Sequence, residues 1–194
     1  GVFDVGFLRQ VPGMLVLTPV SLVEQQEMLR WAVEEYDGPV AIRYPRGGEG
    51  SYTASDWRGL DDEMVVSHRK GKDITLITYG SLLENVMKAA EKLAQQGIEA
   101  TVLRLLAVSR LPAREILEKK AANGPVLIME EVCAGSGIRE ALSWELCKLD
   151  AHCPAEGIDL GREFVSHGSQ QKLYESCGLD ANSIATFVKE VLSP

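Results

Sequence analysis

The sequence lacks long apolar runs and any stretch that would target the chain to a membrane. No apolar run approaches the ~18 residues that a membrane-spanning helix needs. The first ten residues, GVFDVGFLRQ, have no basic region ahead of an apolar stretch, so they are not typical of a signal peptide. We therefore expect no membrane association and a cytoplasmic chain.

Positive charge is also scarce. The 194 residues include 20 lysines and arginines against 28 aspartates and glutamates, which gives a formal net charge of -8. This balance argues against a general attraction to nucleic acid or to an anionic membrane. The three tryptophans are scattered and indicate no stacking platform for bases. Any anion site must therefore be local.

Cysteines are few and irregularly spaced. The four of them show no C-x-x-C motif and no regular framework, which favours reduced thiols. Cys147, His152 and Cys153 could be imagined around a metal ion, but a fourth ligand is not evident. The sequence thus gives a metal site little support.

What the sequence does contain is an alternation of strands and helices. At the front, residues 14–18 predict a strand, and Ser21 opens a helix through a Ser-x-x-Glu capping box with Glu24. Residues 39–44 predict a second strand, which completes the pattern of a parallel crossover unit. Two strands and one helix cannot bury both faces of a parallel sheet. This front unit must therefore dock on another domain or lack part of its own.

A second and complete alternation follows a stretch rich in Gly, Ser and Asp. Strands are predicted at MVV, ITLITYG, ATVLRLL, VLIMEE and GIDLG, with helices between and after them. A second capping box, at Ser81, opens one of these helices, and Ser169 is a plausible cap for another. The sequence therefore predicts an α/β fold with three parts: the end of one α/β domain, a linker, and a three-layer α/β/α domain, over residues 1–50, 51–63 and 64–194.

Two arginines at the end of the second strand are the main site candidates. In AIRYPRGG, residues 41–48, an extended backbone places Tyr44 and Arg46 on one face and Arg43 on the other. Arg46 then stands at the carboxyl end of a parallel strand, where α/β proteins bind ligands. Its planar guanidinium matches a phosphate or a carboxylate. An arginine that pairs with a nearby carboxylate, or is simply solvated, is the other open interpretation.

Three further groups could carry chemistry. Glu130 and Glu131 end a strand, where paired carboxylates could do acid-base work or could contact a helix start and solvent. His167 in VSHGSQQ could be a base or a ligand, or could hydrogen-bond within its loop. The residues alone leave these roles open.

Three stretches carry a resemblance to a known family. GVFDVGFLRQVPGMLVLTP, EEYDGPVAIRYPRGG and SHGSQQKLYESCGLDANSI, in this order, resemble the 1-deoxy-D-xylulose-5-phosphate synthases, which are transketolase-like thiamine-diphosphate enzymes. The resemblance covers the chain from end to end. It implies that residues 1–50 end a pyrimidine-binding domain and that residues 64–194 form a transketolase-like carboxy-terminal domain. The sequence departs from the family's pattern at residues 104–112 and at Ser166, but these departures put little of the chemistry in doubt.

The resemblance also implies an activity for the full-length enzyme. Such a transferase condenses pyruvate with glyceraldehyde 3-phosphate, with loss of CO2, for isoprenoid, thiamine and pyridoxal biosynthesis. Amino-terminal domains would bind thiamine diphosphate and Mg²⁺, the full-length protein would be a homodimer, and this stretch alone would be inactive without either cofactor. Arg46 would bind the substrate phosphate, whereas Arg43 would make a structural or inter-domain contact. A non-catalytic interaction module and a beta-type subunit of a 2-oxoacid dehydrogenase are the alternatives.

Overall fold

Strands and helices alternate along the chain, as the sequence predicts. A computed structural model describes residues 2–45, 49–60, 63–122, 124–149 and 155–193. The strands are β1 (Leu15–Leu17), β2 (Val40–Ile42), β3 (Val65–Arg69), β4 (Ile74–Tyr79), β5 (Ala100–Leu105), β6 (Val126–Met129) and β7 (Ala155–Ile158). The helices are α1 (Asp4–Leu8), α2 (Leu22–Glu34), α3 (Leu83–Ala94), α4 (Ala113–Lys119), α5 (Arg139–Leu149), α6 (Gln170–Ser176) and α7 (Ala181–Leu192).

Five strands form the larger sheet, in the order β3-β5-β4-β6-β7. All neighbours run parallel except β3, which is antiparallel to β5. Helices α4 and α5 pack on one face through an apolar cluster, and α3 and α7 pack on the other face through a second cluster. Helices on both faces explain why β4, β5 and β6 are buried along their whole length and consist mostly of apolar residues. The predicted three-layer α/β/α fold is confirmed.

The front unit docks on the larger sheet through its first strand. β1 pairs in parallel with β2 on one side and forms an antiparallel bridge from Leu17 to Ala107 on the other. The Thr18 amide donates to the Leu106 carbonyl at 2.9 Å, and the Val108 amide donates to the Val16 carbonyl at 2.9 Å. The front unit therefore pairs with the larger sheet's connection after β5 along the edge of β1 that β2 leaves open.

The segment 49–60 lies across the seam between the two units. Trp57 is buried there and contacts Trp31 of α2 edge to face, with ring centroids 5.2 Å apart. The Ser21 hydroxyl donates to the Ala54 carbonyl at 2.6 Å, which fastens the segment to the start of α2. The described part of the predicted linker is thus packed against both units.

Of the three helix caps predicted from the sequence, the structure contains one and lacks two. The Ser21 side chain accepts a hydrogen bond from the Glu24 amide at 3.1 Å, so the first capping box is confirmed. The second is wrong, because Gly80 adopts a left-handed conformation (φ 59°) and begins a 3₁₀ turn ahead of α3, without a side-chain cap. Ser169 precedes α6 but makes no capping hydrogen bond either. The last strand also lies slightly earlier than GIDLG, at β7.

Within the described ranges, no helix is long and apolar enough to span a bilayer. The longest, α2, has 13 residues.

Candidate functional site at the strand ends

A cleft of about 770 Å³ opens at the carboxyl ends of β4 and β6. The chain leaves β4 for β5 on one side and later returns to β6 on the other side of β4. The cleft therefore lies where the strand order switches, which is where open α/β sheets bind ligands. Ser81 follows β4 and Glu131 follows β6, and both line it. The front unit closes it with residues 43–45, and the loop before α6 closes it with residues 164–168.

Arg43 fixes the front unit to this edge of the larger sheet. Its Nε lies 3.2 Å from each carboxylate oxygen of Asp4, and its terminal nitrogen donates to the Glu131 carbonyl at 3.1 Å. The guanidinium carbon also lies 6.0 Å from the centre of the Tyr79 ring. These contacts join α1, the end of β2 and the end of β6. Arg43 thus makes a structural contact between the front unit and the larger sheet.

Glu130 and Glu131 do not face each other as an acid-base pair. Glu130 is 2% exposed and caps α5, where its carboxylate accepts from the amides of Ile138 (2.7 Å) and Arg139 (3.0 Å). The Tyr79 hydroxyl also donates to it at 2.9 Å. Burial raises the pKa of Glu130, although these three hydrogen bonds oppose the shift. Of the two roles left open by the sequence, the structure supports the helix-start role for Glu130.

Glu131 instead faces the cleft, because successive residues of an extended strand end point to opposite sides. The Tyr174 hydroxyl donates to its carboxylate at 3.2 Å and accepts from the Gln170 amide at 2.9 Å. Burial and the neighbouring charge of Glu131 raise the pKa of Tyr174 to about 12, so its proton stays in place near neutral pH. This wall of the cleft therefore presents a carboxylate held by a neutral phenol.

Of the other two candidate site residues, the structure describes His167 but not Arg46. His167 lies on the rim of the cleft and is exposed, and no hydrogen bond joins its ring to the residues that the structure describes. Arg46 directly follows Pro45, which lines the cleft, but Arg46 itself lies outside the described residues. Its phosphate-binding role stays a prediction.

The metal-ligating side chains of the described ranges do not cluster. No group of three or more His, Cys, Asp or Glu side chains in those ranges is arranged to hold a metal ion. His152 and Cys153, two of the three residues imagined around a metal, lie outside the ranges. We therefore derive no chemical step through thiamine diphosphate or Mg²⁺ from these residues.

Sequence reasoning missed a buried polar cluster at the seam. Arg104 of β5 donates to both carboxylate oxygens of Glu24 in α2, at 2.8 Å each, and both side chains are fully buried. It also donates to Asp56 at 2.7 Å and to His68 at 3.1 Å. An arginine inside the apolar run ATVLRLL was the available signal, since a buried cation needs partners. The partners themselves are distant in sequence.

Comparison with solved structures defines the class of fold. A structure named "Split gene transketolase, inactive beta4 tetramer" superposes on this chain with a TM-score of 0.85 at 24% sequence identity. The match covers 99% of this chain and 62% of that one. The chain thus has the fold of the carboxy-terminal part of a transketolase.

Sequence comparison identifies the family. Residues 63–184 match the family model "Transketolase, C-terminal domain", and the chain belongs to this family. Its curated relatives include proteins named 1-deoxy-D-xylulose-5-phosphate synthase from Heliobacterium modesticaldum (33% identical over 98% of this chain), Gloeobacter violaceus (31% over 100%) and Desulforudis audaxviator (36% over 95%). The resemblance seen in the sequence is confirmed. The chain spans only about 30% of the length of these relatives.

Proposed function

We propose that this chain is the carboxy-terminal part of a 1-deoxy-D-xylulose-5-phosphate synthase. The whole enzyme would join pyruvate to glyceraldehyde 3-phosphate with loss of CO2, as a step towards isoprenoids, thiamine and pyridoxal. The observation that carries the proposal is that relatives of this one name match 95–100% of the chain, front unit included. A non-catalytic module or a 2-oxoacid dehydrogenase subunit is not favoured by these matches.

The greater length of the relatives supports placing the rest of the catalytic machinery in other parts of a longer protein. The chain covers about 30% of each relative, so amino-terminal domains would supply the site for thiamine diphosphate and Mg²⁺. When bound, thiamine diphosphate supplies the electron sink for loss of CO2 from pyruvate. Residues 1–50 would complete the pyrimidine-binding domain, and residues 64–194 would form the carboxy-terminal domain of a homodimer.

Within this chain, Arg46 is the residue that we assign to the substrate. It follows a strand end that the hydrogen bond from Arg43 to the Glu131 carbonyl fixes against the larger sheet and that lines the 770 Å³ cleft. A fixed guanidinium at such an edge can hold a phosphate through two parallel hydrogen bonds. Arg46 would therefore bind the phosphate of glyceraldehyde 3-phosphate, while pyruvate would not contact it.

Steady-state kinetics on the full-length enzyme test this assignment. Loss of one charge-assisted phosphate contact costs about 1.5–3 kcal/mol, so Arg46→Ala should lower kcat/KM for glyceraldehyde 3-phosphate by roughly 10- to 150-fold. Arg46→Lys should recover part of that loss, because lysine keeps the positive charge but cannot make two parallel hydrogen bonds to the phosphate. Unphosphorylated glyceraldehyde is the matched substrate control and should be unaffected.

Equal losses with both aldehydes, in a variant that melts like the parent protein, would show that Arg46 supports the strand end. No turnover of pyruvate with either aldehyde by the unmodified full-length enzyme would instead refute the proposed activity. A preparation that needs a separate partner chain for activity would favour the dehydrogenase-subunit alternative.

A further inference from the structure

His68 lies beside Arg104 in the buried polar cluster and under the segment 49–60. Its side chain is 8% exposed. The Tyr52 ring covers it edge to face, with centroids 5.1 Å apart, and Asp56 lies beside it. The Tyr52 hydroxyl donates to Asp56 at 2.7 Å, so the two residues that cover His68 also hold each other.

The hydrogen bond from Arg104 requires a neutral imidazole. Arg104 Nε donates to His68 Nε2 at 3.1 Å. A nitrogen that accepts a hydrogen bond carries no proton, so the proton of the neutral ring must sit on Nδ1. A second proton on Nε2 would remove the acceptor and bring two cations into contact in a buried site. Uptake of a proton and the observed geometry are therefore incompatible.

The charged groups around His68 come from three other elements. Arg104 of β5 faces Nε2 directly, and Glu24 of α2 reaches His68 only through Arg104. Asp56 lies 3.7 Å from Nε2 and would favour a proton there, but its oxygen already accepts from Tyr52 and from Arg104. Burial, the largest effect, and the charge of Arg104 together lower the pKa of His68 below its ordinary value of 6.5, against the opposing charges of Asp56 and Glu24.

We propose that His68 is a proton-sensitive latch on the segment 49–60. When Nε2 takes a proton from solvent, the bond from Arg104 is lost, and His68 leaves its place beneath Tyr52 and Asp56. The segment then loosens from β3 and β5, and with it loosens the contact between α2 and the larger sheet. This inference rests on the seam geometry and is independent of the proposed enzymatic activity.

The direction of the pH dependence follows from the pKa values. Because the pKa of His68 is lower in the folded chain than in the unfolded chain, the unfolded chain binds the extra proton first. The stabilising contribution is complete above about pH 6.5 and is lost as the pH falls towards the folded-state pKa. Between the two values the unfolding equilibrium constant should rise by up to ~10-fold per pH unit. Asp56 and Tyr52 do not titrate in this window, since the pKa of Asp56 lies below 3.8 and that of Tyr52 is about 12.

Urea unfolding of the 194-residue chain between pH 7.5 and pH 5.5 tests the latch. The midpoint should fall with pH in the parent chain and stay nearly level in His68→Gln, because a glutamine oxygen can accept from Arg104 but does not titrate there. His167, which is exposed on the rim of the cleft, provides the control, and His167→Gln should keep the parental slope. Equal slopes in His68→Gln and the parent chain would overturn the proposal.

Nuclear magnetic resonance of the parent chain keeps the proposal testable if His68→Gln does not fold. The ring signals of His68 should titrate below pH 6.5, and the indole N–H signal of Trp57 should move with the same midpoint. Trp144 lies on α5, away from the seam, and its indole signal should not follow. A His68 pKa above 6.5, or a titration that leaves Trp57 unmoved, would contradict the latch.

Discussion

Replacing Arg104 with methionine should destabilise the chain by about 3–5 kcal/mol, because the change leaves buried carboxylates without their cation. Arg104 and Glu24 are both 0% exposed, and Asp56 shares the same guanidinium. For a chain of this length, such a loss corresponds to a fall in Tm of roughly 6–20 °C. Urea unfolding followed by circular dichroism at pH 7.5, where His68 is neutral, would measure it.

Arg69 provides a matched control on the neighbouring strand. It also pairs with a glutamate, Glu99, at 2.7 Å, but these side chains are 27% and 41% exposed. Solvent screens such a pair, so Arg69→Met should change the stability by less than about 1 kcal/mol. Comparing the stability losses of the two variants shows whether the contribution of an ion pair depends on its burial.

Removing both partners should be milder than removing Arg104 alone. The double variant Arg104→Met/Glu24→Met leaves no unpaired charge between β5 and α2, so it should recover at least 1 kcal/mol of the loss in Arg104→Met. If Arg104→Met costs no more than Arg69→Met, or if the double variant is additive, then the cluster does not hold the seam together and the reasoning fails.

Two further predictions concern the larger sheet. Glu130→Gln should lower the free energy of unfolding, measured with urea, by about 1–3 kcal/mol, because an amide nitrogen cannot accept a hydrogen bond from the helix start. Glu131→Gln in the cleft should cost less than about 1 kcal/mol. Equal costs would contradict the capping role of Glu130. Residues 64–194 expressed alone should melt cooperatively in calorimetry, because they hold all five strands of the larger sheet and both helix layers. Their Tm should be lower than that of the whole chain. A broad, non-cooperative transition would refute the predicted boundary.

The sequence was informative where structure depends on near neighbours. The Ser21 cap is a bond between residues three apart, and the crossover unit β1-α2-β2 follows from periodicity over about 30 residues. The alternation of strands and helices predicted the fold class and the resemblance predicted the family, and the comparisons confirm both. The second capping box failed for a local reason as well, since Gly80 can adopt a conformation that diverts the chain into a 3₁₀ turn.

Distant contacts were beyond the reach of periodicity. Glu24 and Arg104 are 80 residues apart, and Arg43 and the Glu131 carbonyl are 88 apart. His68 lay in a polar stretch, so nothing nearby in the sequence marked it as buried. The antiparallel direction of β3 was hidden as well, because a short apolar strand has the same pattern in either direction.

The contact between the end of β1 and the end of β5 also determines when the front unit can dock during synthesis. Thr18 and its acceptor Leu105 are 87 residues apart, so joining them closes a loop whose entropy cost is about 4 kcal/mol. At usual rates of synthesis, roughly 4–17 s separate the appearance of these two residues on the ribosome. During that interval Val16 of β1 lacks the apolar residues of the larger sheet that cover it in the folded chain. The front unit therefore stays open to non-native contacts until β5 has been synthesised.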